Sequence, residues 1–195
     1  MVNSKMPPLE SIGERARSAS RKLAKTSNSV REKALIGIAD SLEKNISKIT
    51  SANQKDIKNG REAGLNDSVL GRLTLSPEKI TVIAKDVQTI AKIPDPLSGT
   101  FDETIVPNGL QVAKRRVPLG VIGVIYESRP NVTVDIVSLC IKSGNAVILR
   151  GGKEAFNSNM ALATLIKDSI SESGIPSDAV QFIESTDRDL VTKLL

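Results

Sequence analysis

Through the first half of the chain, apolar residues recur at three- and four-residue steps. Leu9, Ile12, Ala16, Ala19 and Leu23 mark one face of a first helix. Ser29-x-x-Glu32 has the form of a capping box, in which each side chain satisfies the other's backbone N–H. It predicts the start of a helix whose stripe is Leu35, Ile38, Leu42, Ile46 and Ile49. Ser76-Pro77 predicts another start, with Ser as the cap and Pro in the first turn. Its stripe is Ile80, Ile83, Val87 and Ile90, and Pro94-Asp95-Pro96 ends it. Residues 9–92 therefore read as helix after helix.

The period then changes. Glu103–Val106 and Leu110–Arg116 flank Pro107-Asn108-Gly109, and Asn-Gly between short runs predicts a hairpin. Arg115 and Arg116 at its end are expected to face solvent or a partner subunit. From Val117 strands and helices alternate. Val121–Tyr126 is a continuous apolar run, as in a parallel strand buried on both faces. Val132–Lys142 reads as a helix with Gly144 as its left-handed cap. Ala146–Leu149 is a strand, and Asn157–Ile170 a helix stopped by Gly174-Ile175-Pro176. Val180–Ile183 is a third strand, and Thr186–Leu195 begins a third helix. This succession implies an α/β fold with a doubly wound parallel sheet behind a helical first part.

Ligands of open parallel sheets bind outside the carboxyl ends of the strands. Two loops qualify. Glu127-Ser128-Arg129-Pro130-Asn131 follows the first strand and offers Ser128, Arg129 and Asn131; Asn131 could equally be only the cap of the next helix. Arg150-Gly151-Gly152-Lys153-Glu154 follows the second. Gly151 and Gly152 let backbone approach a ligand, and Arg150 and Lys153 bracket them with charges suited to phosphate. Basic groups at this position favour the 2′-phosphate of NADP over NAD. The alternative is a tight Gly-Gly turn with two solvated charges. Gly120 and Gly123 do not form the G-x-G-x-x-G fingerprint and are expected to allow close packing of a helix.

Composition removes several chemistries. The 195 residues are 39% apolar, enough for a sizeable core. There is no His, which excludes a Ser-His-Asp triad, a Cys-His dyad and a His-based zinc site within the chain. The single Cys, Cys140, cannot form an internal disulfide and fits a reducing compartment, with the cytoplasm as the expected location. It sits in an apolar helical run and reads as a packed core thiol. No apolar run approaches the roughly 18 residues of a membrane span, and the first eight residues lack a signal-peptide core. The net charge of +5 is concentrated in the first hundred residues but interleaved with acids. With only 2% aromatic residues, this describes solvated helix faces rather than a nucleic-acid surface.

The stretch Val-Pro-Leu-Gly-Val-Ile-Gly-Val-Ile-Tyr-Glu-Ser-Arg-Pro-Asn-Val-Thr from Val117 to Thr133 is highly specific. So is Lys-Ser-Gly-Asn-Ala-Val-Ile-Leu-Arg-Gly-Gly-Lys-Glu-Ala from Lys142 to Ala155. Together with Asp95-Pro96 and Ile183–Arg188 they closely resemble the gamma-glutamyl phosphate reductase family of the aldehyde dehydrogenase superfamily. The resemblance covers nearly the whole chain and implies an aldehyde-dehydrogenase-like fold. Residues 1–100 would be the helical part of the cofactor domain and 101–116 part of a protruding β-hairpin that pairs subunits. Residues 117–195 would be an incomplete Rossmann-like part, with the catalytic domain absent.

The implied reaction is the NADPH-dependent reduction of L-glutamyl 5-phosphate to glutamate 5-semialdehyde in proline biosynthesis. A Cys thiolate expels phosphate, and hydride then reduces the thioester. Arg150 would stand beside the adenosine ribose, where general aldehyde dehydrogenases place a Lys, with Gly151, Gly152 and Lys153 replacing the Pro-Ser-Glu type of sequence found there. Ser128, Arg129 and Asn131 would fall near the oxyanion loop. The family's catalytic Cys lies beyond Leu195, so Cys140 does not take that role, no catalytic residue or metal ligand is assigned, and no turnover is expected from the chain alone. Further expectations are a homo-oligomer through the hairpin and an association with glutamate kinase. The competing expectation is a non-catalytic fragment that binds NADP(H) or only associates with subunits.

Overall fold

The computed structural model describes residues 8–185 together with 192 and 193. Five helices come first: α1 (Leu9–Leu23), α2 (Asn28–Lys44), α3 (Ile46–Glu62), α4 (Asp67–Leu73) and α5 (Pro77–Lys92). A two-stranded antiparallel ribbon follows, β1 (Phe101–Ile105) with β2 (Gln111–Lys114). The last part alternates β3 (Val121–Ile125), α6 (Asn131–Lys142), β4 (Ala146–Arg150), α7 (Phe156–Glu172) and β5 (Val180–Phe182). These three strands are parallel, in the order β3-β4-β5. The helix expected over Thr186–Leu195 lies outside the described residues except for 192 and 193.

The central strand explains the layering. Alternate side chains of β4 point to opposite faces. Val147 and Leu149 join the main core, built from α2, α5, α6 and α7. Ile148 joins a second cluster with Ile12 and Ala16 of α1 and with Ile183. Helices thus cover both faces of the sheet, as in a doubly wound α/β fold.

Three expectations about local structure are corrected. The helix predicted to run through Ile49 breaks at Asn45, whose Nδ2 donates to the Ser41 carbonyl at 2.8 Å. Asn competes with the backbone for hydrogen bonds, so it suits the end of a helix. The apolar stripe hides the break because it continues on α3. The cap of α2 is Ser27, which accepts from the Val30 amide at 3.4 Å, two residues before the expected capping box. Glu32 accepts instead from Asn28 at 2.6 Å and from the buried Lys142 at 3.1 Å. Third, among the described residues β3 pairs only with β4, at the edge of the sheet, and it is half-exposed rather than buried on both faces.

The glycines before and within β3 also act differently than expected. A Cβ at Gly120 would meet nothing within 4 Å, so no helix packs on it. Its φ of +112° is what requires glycine, and its amide donates to Asn145 Oδ1 at 2.9 Å. Gly123 is exposed. The hairpin turn does hold a left-handed Gly109, at φ +84°, and the ribbon is exposed along both strands. Arg116 lies over the Phe101 ring at 4.8 Å from its centroid, a cation–π contact across the ribbon.

Candidate functional site

The parallel strands β3 and β4 end side by side, Ile125 opposite Arg150. Their two loops form two walls of a cleft of about 390 Å³. The β3 loop contributes Glu127, Ser128 and Arg129; the β4 loop contributes Arg150, Gly152, Lys153 and Glu154. A third wall comes from the first half of the chain, where α4 presents Val69 and Arg72, with Leu65 just before it. The cleft thus gathers four cations against two carboxylates. Cations held at the mouth of low-dielectric walls concentrate field on an anionic guest.

The two loops are cross-linked. Ser128 Oγ donates to Glu154 Oε2 at 2.9 Å. A Cβ at Gly152 would lie 2.9 Å from that carboxylate oxygen and 3.2 Å from Ser128 Oγ. Gly152 therefore keeps open a space that any side chain would fill. Gly151 is glycine for another reason. A Cβ there would stand 2.3 Å from Asn159 Nδ2 and 3.1 Å from the Tyr126 hydroxyl. Asn159 is fully buried, and its Oδ1 accepts from Thr133 Oγ1 at 2.9 Å. Thr133 Oγ1 in turn accepts from the Tyr126 hydroxyl. Burial pushes that phenol up to about 12, so it stays a neutral donor.

Arg150 is buried, and its guanidinium donates to the Gly151 carbonyl at 2.8 Å. Of the residues singled out in the sequence, Ser128, Arg129, Arg150, Gly152 and Lys153 reach this cleft. Gly151 lies in the turn behind it. Asn131 is the first residue of α6, caps nothing with its side chain, and donates to Asp135 at 3.1 Å. It lines a separate surface groove with Glu78 and Asp86.

Sequence reasoning missed the α4 wall and the polar residues behind α7. The latter had a signal. Asn53 and Asp56 continue the stripe of Ile46 and Ile49 on α3, so two polar residues stand where core residues belong. Both are buried.

The arrangement suits binding rather than covalent chemistry. Among the described residues, no group of His, Cys, Asp or Glu could hold a metal ion. No helix among them is long and apolar enough to cross a membrane. Cys140 is packed in the main core, and burial pushes its thiol from 9.0 up to about 11. Its native reaction with Ellman's reagent is expected to be at least roughly a hundredfold slower than in the unfolded chain, from thiolate fraction alone. Because the folded pKa is the higher one, this group's contribution to stability is complete below the unfolded value and is lost as pH rises from 9.0 toward about 11. Urea midpoints measured across that range should fall; a flat profile would mean the thiol titrates as freely folded as unfolded.

Comparison with known proteins adds lineage to this geometry. The aldehyde dehydrogenase family model matches residues 5–195. Gamma-glutamyl phosphate reductase from Roseiflexus castenholzii is 50% identical over 192 residues, covering 97% of this chain and 45% of that protein. The crystal structure of gamma-glutamyl phosphate reductase from Thermotoga maritima superposes with a TM-score of 0.93 at 39% identity, over 95% of this chain and 45% of that one. An engineered glycolyl-CoA reductase with bound NADP+ shares the fold at 18% identity, with a TM-score of 0.65 over 93% of this chain and 38% of its own. The chain thus spans about 45% of the length of the reductases it matches.

Proposed function

This chain belongs to the aldehyde dehydrogenase family, and on that footing we propose that it is the cofactor-binding portion of an NADPH-dependent reductase of L-glutamyl 5-phosphate serving proline biosynthesis. The observation that carries the reading is the cationic cleft at the carboxyl ends of β3 and β4. The substrate assignment rests on the reductases of that name at about half identity.

The residues present fit a phosphorylated dinucleotide. Arg150 and Lys153 would hold the 2′-phosphate, one with a planar fork and the other with a point charge. Gly152 is the cradle that a Cβ would fill. Ser128 and Glu154, bonded to each other, keep the two loops at a set separation. Arg129 and Arg72 add positive field at the cleft without an assigned contact. When bound, the nicotinamide supplies hydride to the acyl carbon. Covalent attack on that carbon needs an activated thiolate, and the buried Cys140 is not one. The described residues of this chain therefore bind and orient; turnover by them alone is not expected. The protruding, exposed ribbon β1-β2 supports pairing with a second copy, since two open edges and exposed Ile105 and Val112 are an unfinished surface.

Calorimetric titration with NADPH, and with NADH beside it, tests the assignment. The chain should prefer NADPH. Arg150→Ala/Lys153→Ala should weaken NADPH by roughly ten- to a hundredfold, the worth of one or two charge-assisted hydrogen bonds, and leave NADH nearly unchanged. Lys153→Ala alone should show the same trend without touching a buried residue. A folded chain that ignores NADPH, or variants that bind it as well as the parent, would remove the cleft as the dinucleotide site.

A further inference from the structure

A helix leaves its first N–H groups without intrahelical partners. At the start of α7 the preceding residue, Ala155, has no side-chain oxygen with which to cap these groups. The acceptor comes from about a hundred residues away. Asp56, on α3, accepts from the Ser158 amide at 2.7 Å, Ser158 Oγ at 2.6 Å, Asn157 Nδ2 at 2.7 Å and the Asn157 amide at 3.1 Å. Its residue is 2% exposed, and among the described residues no cation pairs with it. The positive end of the α7 dipole and these four donors are its counter-charge.

Asn53, one turn earlier on α3, extends the same cluster. Its Nδ2 donates to Ser158 Oγ at 3.0 Å and to the Leu73 carbonyl at 2.8 Å, and its Oδ1 accepts from the Leu75 amide at 2.8 Å. The two side chains thus tie three pieces of backbone together: α3, the end of α4 and the first turn of α7. Both tied pieces lead straight into the cleft. Arg72 is the residue before Leu73. Lys153 and Glu154 are a short turn before Asn157.

We propose that Asp56 is a positioning residue of the cleft: a buried carboxylate outside the cleft lining that fixes, with Asn53, the separation of the α4 wall from the Gly152–Glu154 wall. The proposal rests on the reading of the cleft as the dinucleotide site. A buried charge held only by neutral donors is an inefficient way to gain stability, since a well-packed apolar residue serves as well or better. It is an efficient way to specify one geometry, because four donors converge on two oxygens.

Asp56→Asn keeps the shape but removes the charge and half the acceptor capacity. The NADPH dissociation constant should rise about tenfold, the size seen when an outer partner that orients a binding group is lost. Hydrogen exchange should quicken at Gly152–Asn159 and Leu75, while α2 and β4 keep their protection. Ser158→Ala, which removes one donor, should shift both readouts the same way by a smaller factor, and it decides the matter if Asp56→Asn fails to fold. Leu35→Ala, a core truncation on α2, which contributes no residue to the cleft lining, provides the contrast: it should lower the melting temperature without changing the NADPH affinity of the folded protein. If the parent chain binds NADPH and Asp56→Asn binds it equally well, or if exchange rises uniformly along the chain, positioning by Asp56 is overturned. If the parent does not bind NADPH, the reading of the cleft fails, and the exchange pattern alone decides whether Asp56 fixes the two walls.

Discussion

Replacing Asp95 by alanine should lower the stability of the fold by about 3 kcal/mol, because it leaves a buried guanidinium without its anion. Arg31 is 2% exposed. Its Nη2 donates to Asp95 Oδ1 at 2.8 Å, and its Nη1 to the Thr26 carbonyl at 3.3 Å. Asp95 stands just past α5, between the two prolines that stop that helix, and its Oδ1 also accepts from the Leu97 amide at 3.0 Å. The pair therefore fastens the start of α2 to the segment that turns toward the ribbon. Solvent reaches the Asp95 side chain, at 19% exposure, which places the expected loss at the low end of the 3–5 kcal/mol typical of broken buried pairs. The double variant Arg31→Met/Asp95→Ala should recover a large part of that loss, since no charge is then left without a partner. Urea unfolding followed by circular dichroism measures both. A cost below about 1 kcal/mol for Asp95→Ala would mean that water reaches the guanidinium and that the pair behaves as a surface ion pair.

The sequence made this fold legible wherever one period ruled a whole element. The stripe of α1 and the alternation of apolar runs with helices after Val117 come from burial alone, which repeats regularly and is read regularly. Local chemistry was legible too where one residue type is required: Gly109 and Gly144 are left-handed, at φ +84° and +74°, and only glycine takes that conformation freely. What escaped depends on partners distant in the chain. Ser27 rather than Ser29 caps α2 because Glu32 is drawn to Lys142, a residue 110 positions later. The exposure of β3 depends on which strands flank it, and an apolar run reads the same at an edge and at a centre. Asn53 holds Leu73 at the end of the α4 wall, 20 residues on, and Asp56 caps a helix that begins a hundred residues away. The strand-end loops were legible as a site because topology alone places a ligand there. The residues that set its width were not, although their polarity within an apolar stripe marked them.

The adjacent glycines of the β4 loop should respond in opposite ways to the same added methyl. Gly151→Ala should cost about 3 kcal/mol, at the upper end of the range for overpacking a dense core. The new Cβ would stand 2.3 Å from Asn159 Nδ2, well inside contact distance, and 3.1 Å from the Tyr126 hydroxyl. Neither neighbour can yield easily. Asn159 is fully buried with a short side chain bonded to Thr133, and the Tyr126 hydroxyl is bonded to the same Thr133 oxygen. Backbone must shift instead, and the backbone here carries Arg150 and Lys153 into the cleft. Gly152→Ala meets softer resistance. Its nearest atom, at 2.9 Å, is a carboxylate oxygen at the far end of the flexible Glu154 side chain. That side chain can swing aside for under about 1 kcal/mol, the cost of one off-rotamer angle. The methyl and the displaced carboxylate then occupy the cleft, and the Ser128–Glu154 bond is lost. Gly152→Ala should thus melt close to the parent yet bind NADPH at least about tenfold more weakly, a loss near 1.4 kcal/mol. Gly151→Ala should shift the urea midpoint strongly. Equal stability losses in the two variants would show that Asn159 can swing away from Gly151 as readily as Glu154 does from Gly152, and that the turn behind the cleft is looser than its contacts describe.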